Sequence, residues 1–378
     1  MIKYFDNCAT TKVDDEVIKI LNCYHVDKYF NPSARSTFSL EISNDVASAH
    51  KNIAKSLGAS SANEILFTSG GTEAINLAIC GSLRAKHGNI VVTAAEHSAV
   101  YNTVSELANR GYEIRIAKVL SDGHIDVDDF ISKVDSETLI ACFMHVNNET
   151  GAVNDVRKIN SLVKAKNTKT VTFSDGVQAV GKVGVNLRYL GVDLYAFAGH
   201  KIHCTKGIGA LYVKNGTKLT PTLFGGGQER GLRSGTEYVG GIVALAYSVA
   251  QAVVNVEQNT VNFIQYKQII RNALREIPNW RENCTENVSP AIMSLAFSGI
   301  RGEVLLHMLE KYDIIVGTGS ACSSKNKQSR IAKAIGLNAD YSEGMLRISF
   351  SKYNTTDEVT LLAEKLAESV TELRKIVG

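Results

Sequence analysis

The sequence predicts an α/β protein built around a mostly parallel, doubly wound sheet. The first observation is a series of apolar runs that suit buried strands, at residues 64–68, 90–94, 112–117, 139–145 and 170–174. The second is that helical segments separate these runs, and a regular alternation of strand and helix is typical of parallel sheets. The third is size, because 378 residues with 44% hydrophobic content can bury a large core.

Composition excludes several classes of protein. The 41 basic and 38 acidic residues leave a net charge of +3, which indicates neither a nucleic-acid nor a membrane partner. Because no run of about 18 apolar residues exists and the opening residues lack the apolar core of a signal peptide, we expect a cytoplasmic protein. The seven cysteines form no CxxC pair, which argues against a disulfide framework and a structural zinc site, so we expect no metal.

Helices are predicted before and after these strands. Residues 14–21 and 43–57 precede the first strand, and residues 241–254 form a nearly all-apolar helix. The charged segment after residue 254 is expected to connect to a second region, with strands at 291–297, 314–316 and 345–350. Thr355 and Glu358 have the spacing of a capping box, which predicts the start of an amphipathic C-terminal helix.

A lysine lies at the edge of one predicted strand. Residues 194–198 are apolar, Gly199 ends the run, and His200 and Lys201 follow before a second strand at 210–213. A lysine in this position can be held partly desolvated, which lowers its pKa and makes the amine a nucleophile suited to Schiff-base chemistry. The alternative, which is commoner for any single lysine, is a solvated loop residue.

A turn rich in glycine and threonine joins another strand to a helix. Residues 68–73 read Thr-Ser-Gly-Gly-Thr-Glu, and the helix that follows has apolar residues every four positions. Backbone N–H groups at a helix N-terminus, with a threonine hydroxyl beside them, can hold a phosphate. The same residues also occur in such turns for conformational reasons alone.

Polar residues follow three more of the predicted strands. Asp175 and Gln178 come after residues 170–174, His97 after 90–94, and Asn148 after 139–145. The carboxyl ends of parallel strands share one edge, where such folds bind ligands. There, Asp175 could keep a pyridine nitrogen protonated, Gln178 could donate to a ring hydroxyl, and His97 could stack on a ring or move a proton. Each residue taken alone also has a simpler interpretation: Asp175 could cap the next helix, and His97 could be a histidine of the core.

Taken together, these residues match the needs of pyridoxal phosphate: an amine, an acid for the ring nitrogen, a ring support and a phosphate anchor. The chain resembles the cysteine desulfurases of the class V aminotransferase group, which are fold type I pyridoxal-phosphate enzymes. The resemblance extends nearly from end to end. It rests on residues 4–7, 145–149, 199–201, 225–236, 319–324 and 347–349.

The resemblance implies a large cofactor-binding domain, residues 13–255, with a mostly parallel seven-stranded type of sheet. It implies a smaller α+β domain, residues 1–12 and 256–378, which carries a mobile cysteine loop, and it implies a homodimer. In this family Lys201 would carry the cofactor, Asp175 would pair with the pyridine nitrogen, Gln178 would reach the ring oxygen and His97 would stack on the ring. The phosphate would be held by Gly71, Thr72, His200 and, from the other subunit, Thr236.

The same resemblance assigns the substrate site and the nucleophile. Asn148, which also contacts the cofactor, and Arg347 would bind the substrate carboxylate, the arginine as a bidentate fork. Cys322 would attack the sulfur of L-cysteine, leaving L-alanine and a persulfide. Residues 320–329 are polar and without periodicity, which suits a mobile loop. On its own, Cys322 also fits a free thiol in a solvated basic loop.

Some positions depart from the family pattern. Ala198 stands where relatives usually have a serine whose hydroxyl reaches the phosphate, so one charge-assisted hydrogen bond is missing. Cys204 and Thr205 replace the usual Gly-Pro, Cys8 lies in the N-terminal motif, and Arg35 stands where histidine is common. These changes suggest a specialised member.

The sequence therefore predicts a cysteine desulfurase that supplies sulfur for iron–sulfur cluster assembly or thiolation through an acceptor protein. Two alternatives stay open at this stage. One is a related lyase that acts on selenocysteine or another amino acid. The other is a paralogue that binds the cofactor and serves mainly as an interaction or sulfur-relay protein.

Overall fold

The structure, a computed structural model, describes residues 2–319 and 329–377. The strands of this part of the chain are, in order, β1 (Lys3–Phe5), β2 (Ile65–Thr68), β3 (Asn89–Thr93), β4 (Glu113–Ala117), β5 (Thr138–Met144), β6 (Val171–Asp175), β7 (Leu194–Ala198), β8 (Gly209–Val213), β9 (Trp280–Glu282), β10 (Ile292–Phe297), β11 (Ile314–Val316) and β12 (Met345–Ser349). Most of the predicted strands lie within a residue or two of these bounds.

The helices complete the layers around the strands. They are α1 (Asp15–Val26), α2 (Thr37–Ser56), α3 (Gly71–Ser82), α4 (Ser98–Asn109), α5 (Val127–Ser132), α6 (Val156–Lys166), α7 (Leu187–Leu190), α8 (Val239–Val254), α9 (Val256–Leu274), α10 (Gly302–Glu310), α11 (Arg330–Ala334), α12 (Ala339–Glu343) and α13 (Thr356–Val377).

A seven-stranded sheet forms the centre, in the order β2-β8-β7-β6-β5-β3-β4. Strands β4, β3, β5, β6 and β7 pair in parallel, whereas β8 runs antiparallel to both of its neighbours. Both faces are covered, as β7 illustrates: Tyr195 and Phe197 point into one apolar cluster, and Leu194 and Ala196 point into the other. The predicted α/β class and mostly parallel sheet are confirmed.

A second region is formed by two small sheets. Strands β9, β10 and β12 form an antiparallel sheet, and β1 pairs in parallel with β11. The start of the chain is therefore hydrogen-bonded to its last third. This pairing bears on the predicted domain boundaries at residues 13 and 256, which stay a prediction.

The charged segment after residue 254, which is expected to connect to a second region, forms a long helix, α9. Helix α9 buries Phe263, Tyr266, Ile270 and Leu274, whose spacing of three and four residues forms one apolar face. Apart from the buried Lys267, its many polar residues are exposed or half-buried, and they obscured the pattern. Within the described residues no single helix is long and apolar enough to cross a membrane, and α8 and α9 pass that test only as a pair bent by 63°.

The C-terminal helix begins with the predicted capping box. The Glu358 amide donates to Thr355 Oγ1 over 3.2 Å, and the Thr355 amide donates to Glu358 Oε2 over 3.3 Å. Two backbone donors that a helix start leaves without partners are thus satisfied.

Candidate active site

A cavity of about 380 Å³ lies at the carboxyl ends of the parallel strands. This volume is within the range of about 300–1,000 Å³ that is usual for small-molecule sites. Strands β2, β3, β5, β6 and β7 each end beside it. The predicted site residues that line it are Gly71, Thr72, His97, Asn148, Asp175, Gln178, His200, Lys201 and Arg347.

Lys201 follows β7 on a single turn of 3-10 helix, Gly199–Lys201. Its Nζ atom donates to the backbone carbonyls of Cys8, over 2.5 Å, and Ala9, over 2.6 Å. Burial, together with the positive charges of Lys182 and Arg347, lowers the pKa of this amine to about 8, although Cys8 and Asp6 oppose the change. A larger fraction of neutral amine is therefore present near neutral pH than for an ordinary lysine.

Asp175 is the last residue of β6 and is 4% exposed. Its Oδ1 atom accepts from the Val177 amide over 2.9 Å. Burial raises the pKa of the Asp175 carboxyl, and the neighbouring His97 and Lys201 act in the opposite direction. The next residue must be glycine, because a Cβ on Gly176 would lie 2.0 Å from the Tyr195 ring. The carboxyl group thus rests on a closely packed support.

Gln178 lies in the turn after Asp175 and is also 4% exposed. Its Nε2 atom donates to the Cys8 carbonyl over 2.9 Å, and its Oε1 atom accepts from Lys182. The side chain therefore borders the cavity, and its two hydrogen-bond partners determine which amide atom is the nitrogen and which is the oxygen.

His97 occupies the N-cap position of α4, where its Nδ1 atom accepts from the Ala99 amide over 3.1 Å. The ring faces the open cavity, yet the protein around it displaces enough water to lower the pKa of the imidazole. The Asp175 carboxylate acts in the opposite direction. A neutral ring with Nδ1 as acceptor carries its proton on Nε2.

The N-terminus of α3 forms a cradle at one end of the cavity. A Cβ on Gly71 would lie 3.0 Å from Val177 Cγ2, a tight contact that glycine avoids. Thr72 and His200 line the same cavity. The His200 Nδ1 atom lies 3.2 Å from Thr10 Oγ1, and burial lowers the pKa of this imidazole to about 4. Backbone N–H groups at the start of a 12-residue helix favour an anion here.

Arg347 and Asn148 stand at the opposite side. The guanidinium donates to the Asn148 carbonyl over 2.8 Å and to Asp6 Oδ1 over 2.7 Å. Its Nε atom is buried and has no hydrogen-bond partner among residues 2–319 and 329–377. Asp6 thus holds the arginine in the wall of the cavity, and the guanidinium keeps N–H groups that have no acceptor among these contacts.

One predicted residue, Thr236, is not brought into this cavity, and another, Cys322, is not among the residues that the structure describes. Thr236 is exposed and does not line it, and its predicted role belongs to a second subunit. Cys322 lies outside the described residues, as does the rest of the predicted loop up to Ser329. Beyond it, Ser329 donates to Glu149 Oε2 over 3.1 Å. The guanidinium of Arg330 donates to the Ala94 and Glu96 carbonyls and lies 4.7 Å from the centre of the Tyr101 ring.

The cysteines that depart from the family pattern have different environments. Cys8 lines the cavity, and its amide donates to Ser349 Oγ over 2.9 Å. Cys204 is fully buried, and burial raises the pKa of its thiol to about 12. Cys204 therefore stays protonated at neutral pH and is a poor nucleophile.

Sequence reasoning missed Lys182, a buried lysine that hydrogen-bonds Gln178. A signal existed, because Lys182 is the only charge in the otherwise apolar and glycine-containing run of residues 179–185. It also missed that the Cys8 carbonyl accepts from Lys201, since no sequence pattern reports a backbone contact across 193 residues. In the described part of the chain no group of three histidine, cysteine or acidic residues could hold a metal ion.

Comparison with known proteins gives concordant matches. The model of the family described as Aminotransferase class-V matches residues 3–362. A cysteine desulfurase of Nostoc sp. is 36% identical, covering 99% of this chain and 94% of the relative. The cysteine desulfurase IscS of Clostridium botulinum is 34% identical, covering 99% and 95%. A solved structure of a NifS-like protein superposes with a TM-score of 0.92 at 33% identity, covering 98% of this chain and all of that one.

Proposed function

The chain belongs to the aminotransferase class-V family, and on that basis we propose that it is a pyridoxal-phosphate-dependent cysteine desulfurase. It would convert L-cysteine to L-alanine and leave the sulfur as a persulfide on Cys322, from which an acceptor protein takes it. The observation that carries the proposal is the desolvated Lys201 amine in one cavity with the Asp175 carboxyl and the His97 ring.

The residues of the cavity fit the cofactor. Lys201 would hold it covalently, Asp175 would face its pyridine nitrogen and His97 would lie against its ring. Gln178 would donate to the ring oxygen through Nε2. The cradle at the start of α3 suits the phosphate, for which the donors would be Gly71, Thr72, His200 and, from a second subunit, Thr236.

When bound, pyridoxal phosphate withdraws electrons from the substrate carbon next to the nitrogen. Asp175 would keep the pyridine nitrogen protonated, which strengthens this withdrawal. Lys201 would take the proton from that carbon and return one during the reaction, and its lowered pKa suits both tasks. Arg347 and Asn148 would orient the substrate by its carboxylate.

The sulfur step would be carried out by Cys322. Its thiolate would attack the sulfur of the bound cysteine, so that an S–S bond forms and the C–S bond breaks. The bonding pair would stay on the carbon, which takes up a proton and becomes the methyl group of alanine. This transfer needs no external oxidant. Arg330, whose guanidinium is held by the Ala94 and Glu96 carbonyls, would add positive charge near the thiolate.

Three further points belong to the same proposal. The protein would be a homodimer. Two exposed residues of the same segment would face the second subunit: Thr236, and Phe224, which is 82% exposed although it is a large apolar residue. It would work in the cytoplasm. It would pass sulfur to a scaffold for iron–sulfur clusters or to a thiolation enzyme, as relatives named IscS and NifS suggest.

The test is an absorption spectrum of the purified protein before and after L-cysteine is added with a reductant, with alanine and sulfide assayed together. We expect a cofactor band that changes with cysteine and yields both products. Cys322→Ala should lose both products and keep the band, whereas Cys23→Ala, a partly exposed cysteine on α1, should behave like the native protein. A band without products would contradict the desulfurase activity.

The same assay separates the alternatives. A strong rate preference for selenocysteine would indicate the related lyase. A retained band with neither product from either amino acid would indicate a relay protein. Ala198, which lines the cavity, is the feature that favours weak cofactor binding. If it does weaken the site, Ala198→Ser should lower the dissociation constant of the cofactor by about tenfold or more, and an unchanged constant would show that water or another donor replaces the hydroxyl.

A further inference from the structure

Lys182 is a buried lysine next to the cavity. The residue is 8% exposed and lies in the turn that follows β6. Within the described residues no carboxylate forms an ion pair with it, and its hydrogen bond goes to the Gln178 side-chain oxygen. A buried ammonium without an acidic partner costs free energy, so its retention here calls for a role.

The bond to Lys182 determines how the Gln178 amide is turned. An ammonium group can only donate, so the amide must present its oxygen to Lys182. The amide NH₂ group then faces the other way, toward the Cys8 carbonyl at 2.9 Å. Without Lys182, only the Cys8 carbonyl, which can only accept, would still favour this orientation of the amide.

The same carbonyl connects this network to the reactive amine. Cys8 O accepts from both Gln178 Nε2 and Lys201 Nζ. Lys182 and Lys201 also border a second, smaller cavity of about 40 Å³. The charge of Lys182 acts on Lys201 inside the protein, where water screens charges weakly.

We propose that Lys182 is a positioning residue for the reaction proposed above: it turns the Gln178 amide donor toward the Cys8 carbonyl, which also accepts from the reactive amine, and it places a second positive charge near Lys201. The inference rests on the proposed function, because Gln178 and Lys201 serve the cofactor only there. Lys182 itself does not line the larger cavity.

The sign of the effect follows from the groups around the amine. Burial and the charges of Lys182 and Arg347 favour the neutral form of Lys201, while Cys8 and Asp6 favour the charged form. Removing Lys182 should therefore raise the pKa of Lys201. Besides Lys182, the titratable and charged groups that face this amine are Asp6, Cys8, His97, Asp175, His200 and Arg347.

The test compares Lys182→Met, which keeps the length and removes the charge, with Lys182→Arg, which keeps the charge. The matched control is Lys267→Met, since Lys267 is 3% exposed and donates to a backbone carbonyl, that of Ser289, over 2.8 Å, away from the cavity. Full-length protein freed of cofactor is labelled with trace acetic anhydride between pH 6 and 10, and the peptide that holds Lys201 is quantified by mass spectrometry.

We expect Lys182→Met to raise the apparent pKa of Lys201 by about one unit, which lowers its labelling rate at pH 7 about tenfold. Lys182→Arg and Lys267→Met should leave the labelling of Lys201 within about twofold of the native rate, since both keep the neighbouring charge. With cofactor added, the pH midpoint of the absorption band should change in Lys182→Met alone. An unchanged Lys201 in Lys182→Met, or an equal change in Lys267→Met, would overturn the proposal.

The two proposals fail in different ways. If the native protein gives no cofactor band, the proposed function falls, but the labelling of Lys201 still reports whether Lys182 acts on it. If the band and both products appear while labelling is unaffected by Lys182→Met, the function stands and the role of Lys182 falls.

Discussion

The seven-stranded sheet and the region formed by β1 and β9 to β12 both contribute to the cavity, but they position their residues differently. On the sheet, Asp175 and Lys201 lie at or just after the end of a strand, so local geometry places them. In the second region, Arg347 lies inside β12 and is held by Asp6, 341 residues away in the sequence. The residues on the sheet are therefore positioned by short motifs, whereas the position of Arg347 depends on long-range contacts.

The largest expected effect removes the reactive group of the sheet. Lys201→Ala should lower the rate of alanine formation by about 10³-fold or more, because both the covalent attachment and the proton transfer are lost. Lys206→Ala, an exposed lysine on the same loop, should stay within about twofold of the native rate, as surface changes usually do. Substantial alanine formation by Lys201→Ala would refute the central role of this amine.

A smaller effect is expected from the second region. Arg347→Lys keeps the charge and loses the planar fork, so KM for L-cysteine should rise about 10- to 100-fold with a smaller change in kcat. Arg281→Lys, on the exposed side of β9 in the same region, should leave both constants unchanged. Steady-state kinetics measures both. A decrease in kcat alone would indicate that Arg347 acts in the chemical step. The proposed separation, with the chemical step on the sheet and substrate binding in the second region, would then be wrong.

The pH dependence of cofactor attachment tests whether the pKa of Lys201, at the end of a sheet strand, is lowered. Only the neutral amine attacks the cofactor, and the pKa of Lys201 is lowered to about 8. The attachment rate should therefore rise about tenfold between pH 6 and 7 and level off above pH 8. A lysine with an ordinary pKa would show a rate that keeps rising beyond pH 10. Stopped-flow absorbance distinguishes the two profiles.

The smallest expected effect tests the contacts that join the regions. Ser349 accepts from the Cys8 amide over 2.9 Å and is 1% exposed. Ser349→Ala leaves a buried N–H group without its partner and should lower the free energy of unfolding by about 1–3 kcal/mol. Ser105→Ala removes an exposed hydroxyl that bonds to the Tyr101 carbonyl, and should change it by less than about 0.5 kcal/mol. Urea unfolding compares them.

The contrast between residues placed by local motifs and residues placed by long-range contacts explains what could be predicted from the sequence. The strand ends that carry Asp175, His97 and Lys201 were found because apolar runs followed by polar residues are visible over ten positions. Helix α9 was missed because its apolar face is diluted by polar residues. The acceptors of Lys201 and the bond between Lys182 and Gln178 could not be predicted, since contacts between residues far apart in the sequence or between side chains depend on the folded chain.

The pairing of β1 with the last third of the chain has a consequence for biosynthesis. Asn7 donates to the Ser349 carbonyl, 342 residues away, and the Cys8 carbonyl reaches Lys201 from the same N-terminal stretch. At about 5–20 residues per second, a ribosome needs about 20 to 70 s to supply Ser349 after Asn7. The seven-stranded sheet ends at β8 and can assemble within that interval. Binding of the cofactor should therefore occur only when synthesis of the chain is nearly complete. A chain truncated before β12 should contain Lys201 but lack the complete cavity around it.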